Sequence, residues 1–208
     1  WNSNVVLTAA HCLDGTFSAE IYLGANDLNK NEDQREILKV EKESLVIHEN
    51  WNKNNFENDV ALVLLPQKIS FSKFIQPVAL PSMTQKNETF EQAIGWISGW
   101  GQLGDYIGPS EKLQYTRRWI LPNEHCKDYY DMFRQETEVC VDGSHAISAC
   151  RGDSGGPLTV EVADCRLLVG ITSYGRPEGC EMGFPVVYTR VSAYLEWIVE
   201  KGNVTIKE

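Results

Sequence analysis

Positive charge is scarce in this sequence, which has 19 Lys and Arg residues against 29 Asp and Glu residues and a formal net charge of −10. Binding to phosphate backbones requires clustered Lys and Arg, and here only Arg117 and Arg118 adjoin, so we expect no nucleic-acid or anionic-membrane partner. No stretch approaches the roughly 18 consecutive apolar residues of a membrane span. The cysteines show no C-x-x-C or His/Cys spacing suited to zinc, and we expect neither a metal nor another cofactor.

Apolar residues are plentiful enough for a core, since 42% of the 208 residues are hydrophobic and 10% are aromatic. This composition indicates a globular protein, and the length alone allows one or two domains. Six cysteines without a zinc pattern favour disulfides and therefore an oxidising compartment. The sequons at Asn87 and Asn203 fit a glycosylated surface, although such tripeptides are frequent by chance.

A candidate nucleophile lies in the stretch C-R-G-D-S-G-G-P, where Ser154 stands between glycines in a segment typical of a tight turn. A serine hydroxyl needs a general base within hydrogen-bond reach and backbone N–H groups directed at the developing oxyanion. Gly152 has no Cβ and can adopt a positive φ. Its N–H and that of Ser154 are therefore the predicted oxyanion donors.

The candidate base and acid lie far upstream, at His11 in L-T-A-A-H-C and at Asp59 in N-D-V-A-L-V-L-L. Each alone has an ordinary explanation, because a histidine after a strand is more often structural than catalytic. Together with Ser154 they complete a possible catalytic triad. The apolar run 60–65 predicts a buried strand that would hold the Asp59 carboxylate rigidly behind His11.

Four motifs together resemble the chymotrypsin-like serine proteases of the trypsin family: T-A-A-H-C, N-D-V-A-L, G-D-S-G-G-P, and S-Y-G at residues 173–175. The resemblance covers essentially the whole chain. It implies an all-β fold of two packed antiparallel β-barrels followed by a C-terminal helix. The short, apolar-alternating stretches within residues 19–28 and 36–48 agree with antiparallel strands.

The nucleophile stretch also satisfies G-x-S-x-G, the pattern of the α/β-hydrolases. In that fold the serine precedes the acid and the histidine, and a helix follows the serine. Here the order is His11, Asp59, Ser154, and a proline follows the second glycine. Chain order therefore rejects this alternative.

The resemblance implies one protease domain over residues 1–208, with a first barrel at 1–80 and a second barrel with the C-terminal helix at 81–208. Residues 124–133 are predicted to form a short helix. Apolar spacings of three and four predict the C-terminal helix at 191–201.

The beginning of the chain differs from the family pattern. In the family, earlier strands and an amino terminus created by zymogen cleavage precede the histidine, whereas here residues 1–4 run straight into its strand. We therefore expect an N-terminally truncated domain with an incomplete first barrel. Asp153 resembles the residue that forms a salt bridge with the cleaved amino terminus.

The cysteines are assigned through the resemblance. It implies the pairs Cys126–Cys140 and Cys150–Cys180, and it places the partner of Cys12 upstream of this sequence. Cys165 matches no family bridge. Three possibilities remain for Cys165: it is a free thiol, it pairs with Cys12, or it forms a link to an upstream region or domain. We favour the last.

Binding residues follow from the same resemblance. Ser173 would support the buried Asp59, while Tyr174 and Gly175 would offer backbone to pair with the substrate as an added strand. The implied reaction is peptide-bond hydrolysis through an acyl-enzyme on Ser154, with His11 as the general base.

Specificity is predicted from three positions around the expected substrate pocket. Ser148 stands where trypsin-like members carry an aspartate, so an Arg or Lys side chain would lose its charge partner on desolvation. Gly175 leaves the entrance open, as in chymotrypsin-like members, and the branched Val186 fills the lower part. We expect a chymotrypsin- or elastase-like preference for uncharged apolar residues such as Leu, Met or Val.

The resulting hypothesis is a secreted, extracellular serine protease, made as a zymogen and glycosylated, that hydrolyses proteins or peptides. Serpin-type inhibitors are the other partners that the family implies. The alternative is a non-catalytic homologue that uses the same scaffold as a binding module. No residue of the predicted triad is replaced, which favours the enzyme.

Overall fold

The computed structural model describes residues 4–163 and 165–206. The first half contains five strands and a one-turn helix, at Val5–Thr8 (β1), Ala10–Leu13 (α1), Ser18–Leu23 (β2), Glu36–Glu41 (β3), Leu45–Ile47 (β4) and Ala61–Leu64 (β5). The strands form a three-stranded sheet in the order β1-β5-β4 and a ribbon of β2 with β3. All these ladders are antiparallel.

The described residues of the second half contain eight strands, at Ile94–Gly99 (β6), Gln102–Gly104 (β7), Ile107–Pro109 (β8), Gln114–Trp119 (β9), Glu138–Val141 (β10), Pro157–Val162 (β11), Cys165–Tyr174 (β12) and Val186–Arg190 (β13). Six of them form a sheet in the order β10-β13-β12-β11-β6-β9, and β7 and β8 form a separate hairpin. The helices are α2 at Asn123–Lys127 and α3 at Leu195–Gly202.

The predicted all-β class and C-terminal helix are confirmed, with two differences in helix extent. A 3₁₀ turn at Val191–Tyr194 precedes α3, and α2 ends at Lys127 instead of continuing to residue 133. Beyond α2 the chain continues in turns, because the Tyr130 hydroxyl donates to the Pro185 carbonyl and both Tyr130 and Phe133 pack beside the Cys126–Cys140 bond. The division into barrels at residue 80 stays a prediction, and its termini at 1–3 and 207–208 lie outside the described residues.

A buried apolar cluster joins the two halves of the chain. It combines Ala9 and Val60 from the first half with Ile171, Leu195 and Ile198 from the second, all at most 5% exposed. Burial of such side chains stabilises the contact by about 25 cal/mol per Å² of apolar surface. The cluster therefore fixes the start of β5 against β12 and α3. None of the helices in the described part is long and apolar enough to cross a membrane.

Candidate active site

His11 and Asp59 are brought together by the pairing of β1 with β5. The ladder pairs Thr8 with Ala61. The start of α1, just after Thr8, therefore lies next to Asp59. The Nδ1 atom of His11 lies 2.7 Å from Oδ2 of Asp59, and the His11 backbone N–H donates to Oδ1 at 2.9 Å. Asp59 is 1% exposed. The carboxylate thus fixes both the ring and the backbone of His11.

Two hydroxyl groups from the second half hold Asp59 in turn. Ser173 Oγ donates to Asp59 Oδ2 at 2.5 Å, and Thr189 Oγ1 donates to the Asp59 carbonyl at 2.7 Å. Ser173 lies where the register of β12 against β13 shifts between Thr172 and Tyr174, and such bulges redirect side chains. The sequence pointed to Ser173 but carried no signal for Thr189.

The environment of His11 stabilises the imidazolium that forms when the ring accepts a proton. Burial of the ring lowers the pKa of His11, but hydrogen bonding to Asp59 and the contact with Cys12 outweigh burial and raise the pKa above its ordinary value. The Nε2 atom lies 3.6 Å from Cys12 Sγ. Within residues 4–163 and 165–206, no hydrogen bond joins Nε2 to Ser154 Oγ, and such contacts often tighten only in the substrate complex.

The segment around Ser154 is a tight turn that depends on glycine. Gly152 has φ +97° and Gly155 has φ +74°, both in the left-handed region that favours glycine. A Cβ on Gly155 would lie 2.3 Å from Thr8 Oγ1, so the turn packs directly on β1. The N–H groups of Gly152 and Ser154 donate to no described residue, which leaves both available to an oxyanion.

Asp153 anchors this turn from the inside. Its Oδ1 accepts the Gly101 N–H and its Oδ2 accepts the Cys150 N–H, each at 2.9 Å. A Cβ on Gly99 would lie 2.1 Å from Oδ1, so the carboxylate fits only beside glycine. These backbone donors stabilise the charge. The salt bridge of Asp153 with a cleaved amino terminus stays a prediction.

The disulfides are the two that the resemblance implied, Cys126–Cys140 and Cys150–Cys180. The second joins the turn of Ser154 to the wall of the neighbouring cavity. Cys12 is half-buried and Cys165 is exposed, and neither forms a disulfide within the described residues.

A cavity of about 230 Å³ opens beside Ser154. Its lining includes four residues predicted to bind substrate, Ser173, Tyr174, Gly175 and Val186. Ser148 is next to the lining residue Ala149, and its hydroxyl donates to the Cys180 carbonyl at 3.0 Å.

Asp105 is a cavity residue that sequence reasoning missed. It lies between β7 and β8, and its Oδ1 and Oδ2 accept the N–H groups of Cys180 at 2.7 Å and Glu181 at 3.3 Å. Glu181 Oε2 accepts the Asp105 N–H in return, at 2.6 Å. An aspartate in a hairpin gives no signal for contacts about 75 positions away. Asp105 also approaches the Cys150 and Cys180 sulfurs, but these form a disulfide and are not free to ligate a metal.

Comparison with known proteins places this geometry in context. The sequence model described as Trypsin matches residues 1–198. A collagenase of Hypoderma lineatum is 34% identical over 200 residues, covering 96% of this chain and 73% of that protein. A chymotrypsin-C of Rattus norvegicus is 36% identical over 201 residues, covering 94% and 74%. The solved structure titled HL collagenase superimposes with a TM-score of 0.87 at 33% identity, covering 99% of this chain and 85% of that one.

Proposed function

Because the chain belongs to the trypsin family and is a serine endopeptidase of the chymotrypsin-like two-barrel fold, we propose that Ser154 is its nucleophile, His11 its general base and Asp59 its orienting acid. The observation that carries this assignment is the buried Asp59 carboxylate, 2.7 Å from His11 Nδ1 and bonded to the Ser173 hydroxyl. A carboxylate in this position fixes the tautomer that leaves Nε2 free to accept a proton.

In the proposed reaction, Ser154 Oγ bonds to the scissile carbonyl carbon while its proton moves to His11 Nε2. The N–H groups of Gly152 and Ser154 stabilise the oxyanion, and their lack of other partners supports this role. The proton then passes from Nε2 to the leaving amine as the C–N bond breaks, which leaves an acyl-enzyme. Water, deprotonated by His11, releases the acid and restores Ser154.

The substrate preference that we propose is for uncharged, medium-sized apolar side chains before the cleaved bond. The Val186 side chain supports this, because it lines the cavity and its branched carbons take space that a glycine there would leave open. Ser148 supplies no carboxylate where trypsin-like members carry an aspartate, so an Arg or Lys side chain would lose its charge partner on desolvation. The Asp105 carboxylate at the cavity wall is held by the N–H groups of Cys180 and Glu181.

A panel of peptides that vary only in the residue before the cleaved bond tests this preference. We expect the highest kcat/KM for Leu, Met or Val. A maximum for Arg would overturn the preference for uncharged residues, whereas a maximum for Phe or Tyr would overturn only the role of Val186.

The proposal extends to cellular context. The family and its disulfides support a secreted zymogen that acts on protein or peptide substrates, with serpin-type proteins as inhibitors. The exposed Cys165 thiol supports a link to an upstream domain. Tryptic mapping of the non-reduced full-length protein tests this link, and a free Cys165 there would contradict it.

Labelling of the full-length protein with an active-site-directed organophosphonate tests the enzyme against the non-catalytic alternative. We expect stoichiometric modification of Ser154 together with loss of peptide hydrolysis. A folded protein that neither reacts nor hydrolyses peptides would show that the scaffold serves as a binding module.

A further inference from the structure

The residue before Asp59 in the N-D-V-A-L motif has an unusual backbone conformation. This residue is Asn58, and its φ of +56° lies in the left-handed region. Apart from glycine, mainly Asn and Asp adopt that region, because their short side chains can form local hydrogen bonds. The Asn58 carbonyl accepts the Val60 N–H at 2.8 Å, which closes a three-residue turn around Asp59. The conformation of Asn58 therefore sets the direction in which the chain presents the Asp59 carboxylate.

The Asn58 side chain is held on two sides. Its Nδ2 donates to the Asn50 carbonyl at 2.9 Å, and its Oδ1 accepts the Tyr194 hydroxyl at 3.0 Å. A carbonyl only accepts and a Tyr hydroxyl can donate, so the two partners are satisfied by one orientation of the amide. Asn50 lies in the loop between β4 and β5, and Tyr194 ends the 3₁₀ turn before α3. Both halves of the chain therefore fix the Asn58 amide.

The two partners of Asn58 are themselves positioned by the C-terminal segment. Tyr194 is buried and packs in the apolar cluster that joins the two halves. The loop that provides the other partner is attached to α3 through Glu49. Glu49 Oε2 accepts the Trp197 Nε1–H at 2.8 Å, and Glu49 Oε1 lies 2.5 Å from Lys201 Nζ. The position of the C-terminal segment against the first half therefore determines both contacts of the Asn58 amide.

We propose that Asn58 is a positioning residue that couples the seating of the C-terminal segment to the alignment of Asp59 with His11. The inference rests on the proposed function, in which Asp59 orients His11 as the general base. Asn58 touches no reacting atom and acts only through the turn around Asp59. A small displacement of the carboxylate from His11 Nδ1 lowers the reaction rate steeply. Ser173 and Thr189 still hold Asp59 when the amide contacts are lost, so the effect is smaller than that of removing the carboxylate.

Kinetics of Asn58→Gly and Tyr194→Phe in the full-length protein test this role. Glycine accommodates the left-handed φ and removes only the amide contacts, whereas phenylalanine keeps the buried ring and removes only the hydroxyl. We expect kcat on a peptide substrate to fall about tenfold in Asn58→Gly and about threefold in Tyr194→Phe, with KM little changed. Both variants break the same hydrogen bond, so the double variant should lose little more activity than Asn58→Gly alone.

The pKa of His11 distinguishes positioning from a general loss of stability. Burial lowers the pKa of His11 and hydrogen bonding to Asp59 raises it, so a displaced carboxylate should lower this pKa in an NMR titration of Asn58→Gly. The matched control is Gln92→Gly, which places glycine at another left-handed position, with φ +62° before β6. It should change neither kcat nor the pKa of His11. If Asn58→Gly fails to fold, Tyr194→Phe carries the same two measurements.

Either an unchanged kcat or an unchanged pKa of His11 in folded Asn58→Gly would overturn the role of Asn58. A wild-type protein that does not hydrolyse the peptide, or an Asp59→Asn variant as active as wild type, would instead contradict the proposed function. The two failures are therefore distinguishable.

Discussion

The two sides of the candidate site are held in place by different kinds of interaction. On the side of His11, side-chain contacts dominate: the Asp59 carboxylate bonds to His11 Nδ1 and to the Ser173 hydroxyl, and it accepts a single backbone N–H. On the side of the nucleophile, backbone dominates: Asp153 receives two backbone N–H groups, and the turn rests on glycines. A change that keeps the shape of a side chain but removes its charge should therefore lower activity most on the side of His11. An added methyl group should instead destabilise the fold most on the side of Ser154.

Ser154→Ala should have the largest effect on activity, because it removes the reacting atom from the backbone-held side. We expect kcat to fall by about 10⁶-fold with substrate affinity little changed. His11→Ala should cost about as much, with little further loss in the double variant. Activity of Ser154→Ala within tenfold of wild type, measured on a purified and folded protein, would contradict the mechanism.

Asp59→Asn tests the side-chain-held side with an isosteric change. The amide should favour the wrong tautomer of His11 and lower kcat by about 10⁴-fold. It also removes the charge that raises the pKa of His11 while burial, which lowers it, remains. The His11 pKa should therefore fall relative to wild type in an NMR titration, and an equal or higher value would show that Asp59 does not control it.

Gly155→Ala tests the backbone-held side. The left-handed φ should cost an alanine about 1–2 kcal/mol, and the clash with Thr8 Oγ1 should add about 1–3 kcal/mol in free energy of unfolding. Gly15→Ala is the matched control, because Gly15 has φ +77° but open space around its Cβ position. Equal losses in denaturant unfolding would show that the turn does not pack tightly on β1.

Thr189→Val should have the smallest effect of the four. The change removes one hydrogen bond to the buried Asp59 carbonyl and leaves the carboxylate contacts in place, at a cost of about 1–2 kcal/mol in free energy of unfolding. We expect kcat/KM to change by no more than a few fold. A loss of activity as large as that of Asp59→Asn would mean that the carbonyl contact also orients the carboxylate.

The sequence predicted the parts of the site that lie in short contiguous motifs. The all-β class and the position of the C-terminal helix followed from apolar spacing and from the family motifs, and both are confirmed. Thr189 and Asp105 could not be found in this way. Each is an ordinary polar residue whose contact partner in the site lies 75 or more positions away, and no local pattern encodes such a contact.

The end of α2 illustrates the same limit. Residues 126, 130 and 133 have the spacing of a helix face, and all three side chains are buried. The helix nevertheless ends at Lys127, because the Tyr130 hydroxyl and the Cys126–Cys140 bond impose tertiary positions that turns satisfy. The spacing of apolar residues alone does not distinguish a longer helix from a short helix followed by turns.

The Cys150–Cys180 bond also determines which pieces stay covalently joined when the chain is cleaved. It closes a ring that contains Ser154, and the Cys126–Cys140 bond closes a separate, smaller ring before it. A peptide bond cleaved between Arg151 and Gly179 leaves both pieces in one molecule, so the nucleophile stays attached to the cavity wall. A cut between Val141 and Ala149 falls outside both rings and yields two fragments that neither of these bonds joins, one with His11 and Asp59 and the other with Ser154.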